Sequence, residues 1–194
     1  MTLFSSENLL KKTPDRTKSR AIDAPGTNLL KIGKANQKLQ SVIGQLCQDM
    51  NKHYVSMGDW STHDLLFYLL EQTGPAKVYF TTWAISEYAI RQLHNMIGDG
   101  LILELKGIFD YRNGTRKPAE LQFLQNITTD IKAAKCHAKV TVIINDSWGV
   151  CVVGSANYTR NPRIEANVLC SVRDVAEFHR DWILNELKGE SDFE

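Results

Sequence analysis

Hydrophobic residues follow two alternating patterns from residue 54 onward. AKVYFTTWA (76–84) and LILELKGIFD (101–110) are nearly continuous runs of apolar, β-branched and aromatic residues, which is typical of buried strands. STHDLLFYLLEQTG (61–74) and SEYAIRQLHNMIGDG (86–100) instead repeat apolar residues every three or four positions, as one face of a helix does. Strands separated by helices predict a layered α/β domain, with buried strands between helices.

The later part of this region has a different order. The sequence predicts a polar loop at YRNGTRKP (111–118) and a helix at about residues 118–126. Three strands then follow closely, HAKVTVIIND, GVCVVGSAN and EANVLCSV, and a tight turn at residues 146–149 joins the first two. DVAEFHRDWILNEL is predicted to close the region as an amphipathic helix with these inward-facing residues: Val175, Phe178, Trp182, Ile183 and Leu187.

The N-terminal part of the chain differs from this α/β region. Residues 1–27 show little apolar periodicity and are predicted to be a flexible basic tail, which is either solvated or ordered only against a partner. Residues 28–53 are predicted to be an N-terminal helical arm, because ANQKLQSVIGQLCQDMNKH (35–53) has apolar residues at helical spacings. This arm would pack on the main domain, assigned to residues 54–190, or on a second subunit.

Charge is unevenly distributed along the chain. The net charge is only +1, which excludes a uniformly basic protein. Residues 1–40 nevertheless hold eight Lys or Arg and three acidic residues, whereas residues 173–194 hold three basic and seven acidic residues. The sequence therefore predicts a basic N-terminal arm and an acidic C-terminal end.

Cysteine usage and hydropathy indicate the compartment. The four cysteines form no CxxC pair, so the sequence favours neither a zinc site nor a disulfide framework and fits a reducing compartment. The N-terminal segment has no apolar stretch of signal-peptide length, and no segment reaches the length of a membrane span. We expect a soluble cytoplasmic protein without a bound metal or a membrane anchor.

The strongest chemical signal is the segment CHAKVTVIINDSWGVCVVGSANYTRNPRIEANVL (136–169). His137 and Lys139 are two residues apart, so on a strand they would project from the same face. Burying an unpaired ammonium group is costly, so this pair makes sense if an anion binds between the two side chains.

The returning strand brings further polar groups. Gly154 would let the backbone approach a ligand closely, and Ser155 and Asn157 offer hydrogen-bond donors for phosphate oxygens. If the two strands pair as a hairpin, these residues meet His137 and Lys139. A carboxylate such as Glu165 could fix the tautomer of the imidazole and leave its other nitrogen free to attack.

These residues resemble a known family. HAK followed by GSAN and then Glu165 resembles the HxK…GSxN signature of the phospholipase D superfamily, in particular its small bacterial nucleases with one motif per chain. The resemblance covers about residues 55–190 and implies an α/β fold with a mixed β-sheet flanked by helices. The chain departs from the signature where an Asp is usual five residues after the Lys. Ile144 occupies that position, Asp146 is the nearest acid, and Gly154 comes three residues later than usual.

The resemblance implies phosphodiester hydrolysis that needs no metal or other cofactor. One histidine attacks phosphorus and forms a phosphohistidine, while a second protonates the leaving oxygen and then activates water. Lysine and asparagine side chains stabilise the charge on the phosphoryl oxygens. The residues expected to act in catalysis are His137, Lys139, Asn157 and Glu165, with Gly154 and Ser155 binding phosphate.

This reaction needs two motifs, and the chain has one. None of the other four histidines is followed two residues later by Lys. Two copies would therefore have to meet around a two-fold axis, each contributing its motif to one shared site. The sequence predicts an obligate homodimer with a single composite active site.

The substrate is less constrained than the chemistry. The basic arm and the basic residues in 111–118 favour nucleic acid over phospholipid, with DNA favoured over RNA. Arg160 and Arg163 could bind a neighbouring phosphate or could pair with the acidic C-terminal helix. Trp83, at a strand end, could stack on a base or belong to the core.

Two other functions stay open at this point. Ile144 occupies the position where the signature usually has an Asp. This departure favours a non-catalytic nucleic-acid-binding module that has kept the phosphate pocket. Glu165 argues against it, because a pocket kept only for binding has little need of a group that orients a nucleophile. The other alternative is a phospholipid hydrolase or phosphatidyl transferase, which would act on vesicles rather than on DNA.

Overall fold

A computed structural model describes residues 19–24, 31–33, 39–160 and 162–189, with side chains described from residue 39 onward except for residues 113–115. The described residues form nine strands and six helices. In chain order these are β1 (Ser19–Ala24), β2 (Lys31–Gly33), α1 (Leu39–Val42), β3 (Asn51–Ser56), α2 (Thr62–Thr73), β4 (Ala76–Thr82), α3 (Glu87–Gly98), β5 (Ile102–Asp110), α4 (Tyr111–Arg116), α5 (Pro118–Ile127), β6 (Asp130–Ala134), β7 (Val140–Ile144), β8 (Gly149–Gly154), β9 (Glu165–Cys170) and α6 (Arg173–Lys188).

The described strands form one mixed sheet in the order β2-β1-β3-β9-β8-β7-β4-β5-β6. Strand β5 is parallel to both of its neighbours, β4 and β6. The other neighbouring pairs are antiparallel, including the hairpin β7–β8 and the pairing of β4 with β7. The sheet therefore has a parallel end, at β4 to β6, joined to an antiparallel end.

Helices cover both faces of the central strands. Along β4, Val78 and Phe80 point into a core shared with α2, α3 and α5, whereas Tyr79 points into a second core on the other face. Ala176 and Ile183 of α6 fill that second core. This alternation follows from the two-residue period of a strand. The predicted α/β fold, a mixed sheet flanked by helices, is confirmed.

The helix predicted across residues 35–53 is wrong beyond Val42. Helix α1 is a single turn, Gly44 has a φ of 69°, and the chain re-enters the sheet at Asn51. Val42, Ile43 and Leu46 are buried in the main core. The 3- and 4-residue spacing of these apolar residues thus reflects burial in a compact turn segment rather than a long helix.

Strand pairing also extends into the predicted tail. Residues 19–24, assigned to the flexible tail, form β1, which pairs with β3. Residues 31–33, within the predicted helical arm, form strand β2, which pairs with β1. Residues 1–18, 25–30 and 34–38, which belong to the predicted tail and arm, lie outside the described residues.

Two later segments also differ from the prediction. YRNGTRKP, predicted as a loop, contains α4, and β6 was not predicted. On α6 the inward-facing residues include Ile183 as expected, but Val175 and Phe178 are 37% and 65% exposed. The buried stripe of α6 runs through the small residue Ala176, and therefore turns the larger apolar residues Val175 and Phe178 outward.

Candidate active site

The candidate residues lie at one edge of the sheet, where parallel strands end and an antiparallel strand begins. Trp83 follows β4, Asp110 ends β5, and His137 lies in the connection between β6 and β7. Thr81 near the end of β4 pairs with Val140 at the start of β7. The edge at the carboxyl ends of parallel strands is the usual position for ligands in α/β sheets.

His137 and Lys139 lie in the connection that precedes β7. Strand β7 begins only at Val140, so the prediction that this strand includes both residues is wrong. The Lys139 Nζ donates a hydrogen bond of 2.6 Å to the backbone carbonyl oxygen of His137. His137 itself is exposed, and its ring centroid lies 6.2 Å from that of Trp83.

Lys139 is the more enclosed of the two. Burial lowers the pKa of its ammonium group below the ordinary value for lysine, and the charges of Cys136, Glu165 and Asp110 partly oppose that shift. The carboxylates of Glu165 and Asp110 thus both act on the Lys139 charge. The ammonium group of Lys139 therefore lies against the backbone of His137, whose imidazole ring is exposed.

The hairpin brings the two halves of the motif to the same place. Val140 pairs with Val153, and the backbone N–H of Gly154 donates to the carbonyl oxygen of Lys139 at 3.2 Å. Between them the turn is closed by a hydrogen bond from the Asn145 N–H to the Trp148 carbonyl oxygen at 3.0 Å. The backbones of Lys139 and Gly154 are therefore direct neighbours.

Gly154 is required by packing between strands. A Cβ at this position would lie 2.0 Å from Oδ1 of Asn167 and 2.6 Å from the carbonyl oxygen of Ala166. Asn167 is buried, and its Oδ1 accepts a hydrogen bond of 3.3 Å from the Ala156 N–H. The space beside Gly154 is thus filled by β9, whereas the sequence predicted that it would admit a ligand.

Gly154→Ala is expected to destabilise the fold by about 1–3 kcal/mol, because the added methyl group must displace a buried side chain and a backbone carbonyl. Gly98→Ala is the matched control, since nothing lies within 4 Å of a Cβ at that helical position. There the substitution should raise stability slightly, because alanine favours a helix. Urea unfolding of both variants measures the difference; a Gly154→Ala protein as stable as wild type would contradict the packing argument.

Ser155 and Glu165 interact with each other. The Ser155 hydroxyl donates to Oε2 of Glu165 and accepts from the Ala166 N–H at 3.1 Å. In the described part of the chain, no hydrogen bond or ion pair joins Glu165 to His137. The carboxylate predicted to orient the imidazole therefore holds the Ser155 side chain in this structure.

Asn157 is locked to the end of β4. Its side-chain oxygen accepts three hydrogen bonds, from the Thr82 hydroxyl at 3.2 Å and from the N–H groups of Trp83 at 3.2 Å and Ala84 at 3.1 Å. Its side-chain nitrogen has no partner among the described residues, so the amide can donate to a ligand. Sequence reasoning selected Asn157 as a phosphate donor but missed this anchor, which no local pattern reveals.

The remaining predicted residues lie further out. Arg160 and Arg163 are exposed, and neither forms an ion pair with α6 within the described ranges. Asp146 is exposed in the hairpin turn, and its carboxylate makes no hydrogen bond or ion pair with any described residue.

The charge of Arg160 also acts on the buried His63. Burial lowers the pKa of His63, and the nearby charge of Arg160 lowers it further despite the opposing effect of Asp64.

The described ranges contain no group of three or more His, Cys, Asp or Glu side chains arranged to hold a metal ion. Over the same ranges, none of the helices has the length and apolar character needed to span a bilayer.

Comparisons with known proteins identify the fold. No family model and no curated protein matches the sequence. Among solved structures, a phospholipase D family member, Nuc from Salmonella typhimurium, matches with a TM-score of 0.50 and 16% identity, covering 62% of this chain and 84% of that chain. The chain has a phospholipase D-like fold.

A second solved structure shares the same arrangement. Polyphosphate kinase from Porphyromonas gingivalis matches with a TM-score of 0.54 and 13% identity over 73% of this chain, which corresponds to 26% of the kinase chain. Within the phospholipase D-like fold, the hairpin β7–β8 and the strand ends of β4 and β5 form the edge that carries His137, Lys139 and Asn157.

Proposed function

We propose that this protein is a metal-independent phosphodiesterase that cleaves nucleic acid, with DNA favoured over RNA, through a phosphohistidine at a site shared by two copies of the chain. The observation that carries the proposal is the convergence of three groups at one sheet edge. These are an exposed imidazole at His137, a partly buried ammonium group at Lys139 and an oriented amide at Asn157.

The reaction proceeds in two steps. The neutral His137 ring attacks phosphorus, a P–N bond forms, and the bond from phosphorus to the leaving oxygen breaks as the second copy's His137 gives that oxygen a proton. The second imidazole then takes a proton from water, the resulting hydroxide attacks phosphorus, and the P–N bond breaks. Lys139 and Asn157 stabilise the charge on the non-bridging oxygens in both steps.

The surface beside the motif supports a shared site. His53, Val55, Val153, Ala166 and Val168 of β3, β8 and β9 line an open, mostly apolar groove of about 520 Å³ that also includes Gly154. Ile164, next to Glu165, is 67% exposed. Apolar surface that borders a half-complete site is the kind of surface a second copy would cover.

The direct test is cleavage in EDTA. Wild-type protein and His94→Ala, which removes an exposed histidine of α3, should cleave DNA supplied as plasmid or as single strands, while His137→Ala should cleave neither. Equal cleavage by His137→Ala would contradict the proposal. Head-group release from phosphatidylcholine vesicles, without DNA cleavage under matched conditions, would show a phospholipid hydrolase instead.

A second candidate is a nucleic-acid-binding module without turnover. It is favoured by the position of Glu165, which holds Ser155 rather than His137, and by Ile144 at the place of the usual acid. DNA binding that survives in His137→Ala, together with no cleavage by wild type, would establish this alternative.

A further inference from the structure

A group of side chains that the proposed reaction does not use lies next to His137. Asp110, at the end of β5, is 1% exposed and accepts two side-chain hydrogen bonds from Arg112, Nε to Oδ1 at 2.7 Å and Nη2 to Oδ2 at 3.1 Å. The Arg112 N–H also donates to Oδ1 at 3.1 Å. The Arg112 side chain is 50% exposed, so its guanidinium group is held by one edge while much of it faces solvent.

Aromatic rings lie close to this guanidinium group. Its Cζ is 6.0 Å from the ring centroid of Trp83 and 5.9 Å from that of Tyr111, which is 46% exposed. The Trp83 ring is in turn 6.2 Å from the ring of His137. The Trp83 N–H donates to Asn157 Oδ1 at 3.2 Å, so the backbone that carries this ring is anchored to a residue of the motif.

An open cleft adjoins Arg112, Tyr111 and His137. It has a volume of about 220 Å³ and is lined by residues 110–112 on one side and 135–137 on the other. The cleft therefore joins the Arg112 guanidinium group directly to the proposed nucleophile. The cleft opens to solvent.

The geometry points to a base-binding subsite: Trp83, Arg112 and Tyr111 form a stacking platform for an unpaired nucleobase next to the phosphodiester held at His137. The inference rests on the proposed function and deepens it, because it selects single-stranded nucleic acid as the substrate class. Aromatic faces and guanidinium planes both stack on bases, and they do so with little sequence preference.

The charge of the platform favours a base over a second phosphate. Arg112 is paired with the buried carboxylate of Asp110, and that pairing holds the pKa of Asp110 below its ordinary value. The pair carries no net charge, so it offers a polyanion little attraction, and the groups beside it are the aromatic rings of Trp83 and Tyr111. Bases in a duplex are already stacked and must be extruded to reach such a surface, which favours single strands.

Two single-stranded oligonucleotides of equal length test this inference, one with bases and one with abasic residues throughout. Wild type should cleave the base-bearing strand with a kcat/KM about 10 to 100 times that for the abasic strand. Trp83→Ala should lower the value for the base-bearing strand to near the abasic one, and Trp83→Phe should restore most of the loss. The effect of Trp83→Ala should be the same at about 50 and 200 mM salt, because no net charge is removed.

Tyr88→Ala serves as the control, because it removes another exposed aromatic ring, on α3, and should leave both values unchanged. Equal cleavage of the two strands by wild type, or an unchanged base-bearing value in Trp83→Ala, would overturn the platform. Equal losses on both strands would assign Trp83 a structural role and also overturn it.

The platform and the proposed reaction can fail separately. If His137-dependent cleavage occurs without any base preference, the reaction stands and the platform fails. If wild type cleaves neither strand, the reaction fails, and fluorescence anisotropy with the same labelled strands then decides the platform. In that case tighter binding of the base-bearing strand that is lost in Trp83→Ala supports the platform, and equal binding of both strands refutes it.

Discussion

His137→Ala is expected to lower kcat/KM for DNA cleavage by on the order of 10⁴-fold or more, because the proposed reaction forms its covalent intermediate on this ring. The ring is exposed and has no side-chain hydrogen bond to another described residue, so its removal should leave the fold intact. The thermal unfolding curve of the variant should therefore match that of wild type. His94→Ala, at another exposed histidine, should retain activity within about twofold.

The role proposed for His137 can also be tested by detecting the phosphohistidine intermediate. A phosphohistidine is stable to base and labile to acid, so wild type quenched during turnover of a labelled oligonucleotide should carry a base-stable, acid-labile adduct. His137→Ala should carry none. An adduct of equal size in His137→Ala would place the nucleophile elsewhere in the chain.

Lys139→Ala is expected to lower turnover by on the order of a hundredfold or more, as expected when one preorganised charge on the transferring group is lost. The Lys139 Nζ is held by the His137 carbonyl oxygen, so the same change also loosens the backbone that carries the nucleophile. Lys77→Ala, at an exposed lysine of β4, is the control and should be active. Near-normal turnover in Lys139→Ala would mean that the phosphoryl oxygens are bound elsewhere.

The pH dependence of activity distinguishes an electrostatic role of Lys139 from a purely structural one. Burial lowers the pKa of Lys139, so its ammonium group loses a proton at lower pH than an ordinary lysine does, and activity should fall on the alkaline side accordingly. Lys139→Arg keeps a charge that does not titrate in this range. Its activity should therefore lack that alkaline fall, even if the rate at neutral pH is reduced.

Most of the fold could be predicted from local patterns. The continuous apolar runs that became β4 and β5, and the repeated apolar spacing that became α2, follow from hydrophobic periodicity. The helix prediction for residues 35–53 failed because apolar spacing alone cannot distinguish a helix from a compact turn that is buried by a neighbouring sheet. On α6, helical spacing predicted that Phe178 faces inward, whereas the helix buries Ala176 and Ile183 and leaves Phe178 65% exposed.

The candidate site was predictable where it depends on strand pairing and not where it depends on distant contacts. The hairpin placed Lys139 beside Gly154 as the sequence indicated. The anchoring of Asn157 by the end of β4 involves residues more than 70 positions away, and no sequence spacing encodes it. The sequence pattern also did not predict the ion pair between Asp110 and Arg112, because it indicates a polar loop after β5 where the structure has α4.

The central claim is that one active site uses two copies of His137. Wild-type and His137→Ala chains can be unfolded together, refolded at different ratios and assayed at constant total concentration. If both rings are needed, only wild-type pairs are active, so activity should follow the square of the wild-type fraction and fall to about a quarter at equal amounts. Activity that falls in simple proportion, to about half, would contradict a shared site and show that each chain works alone.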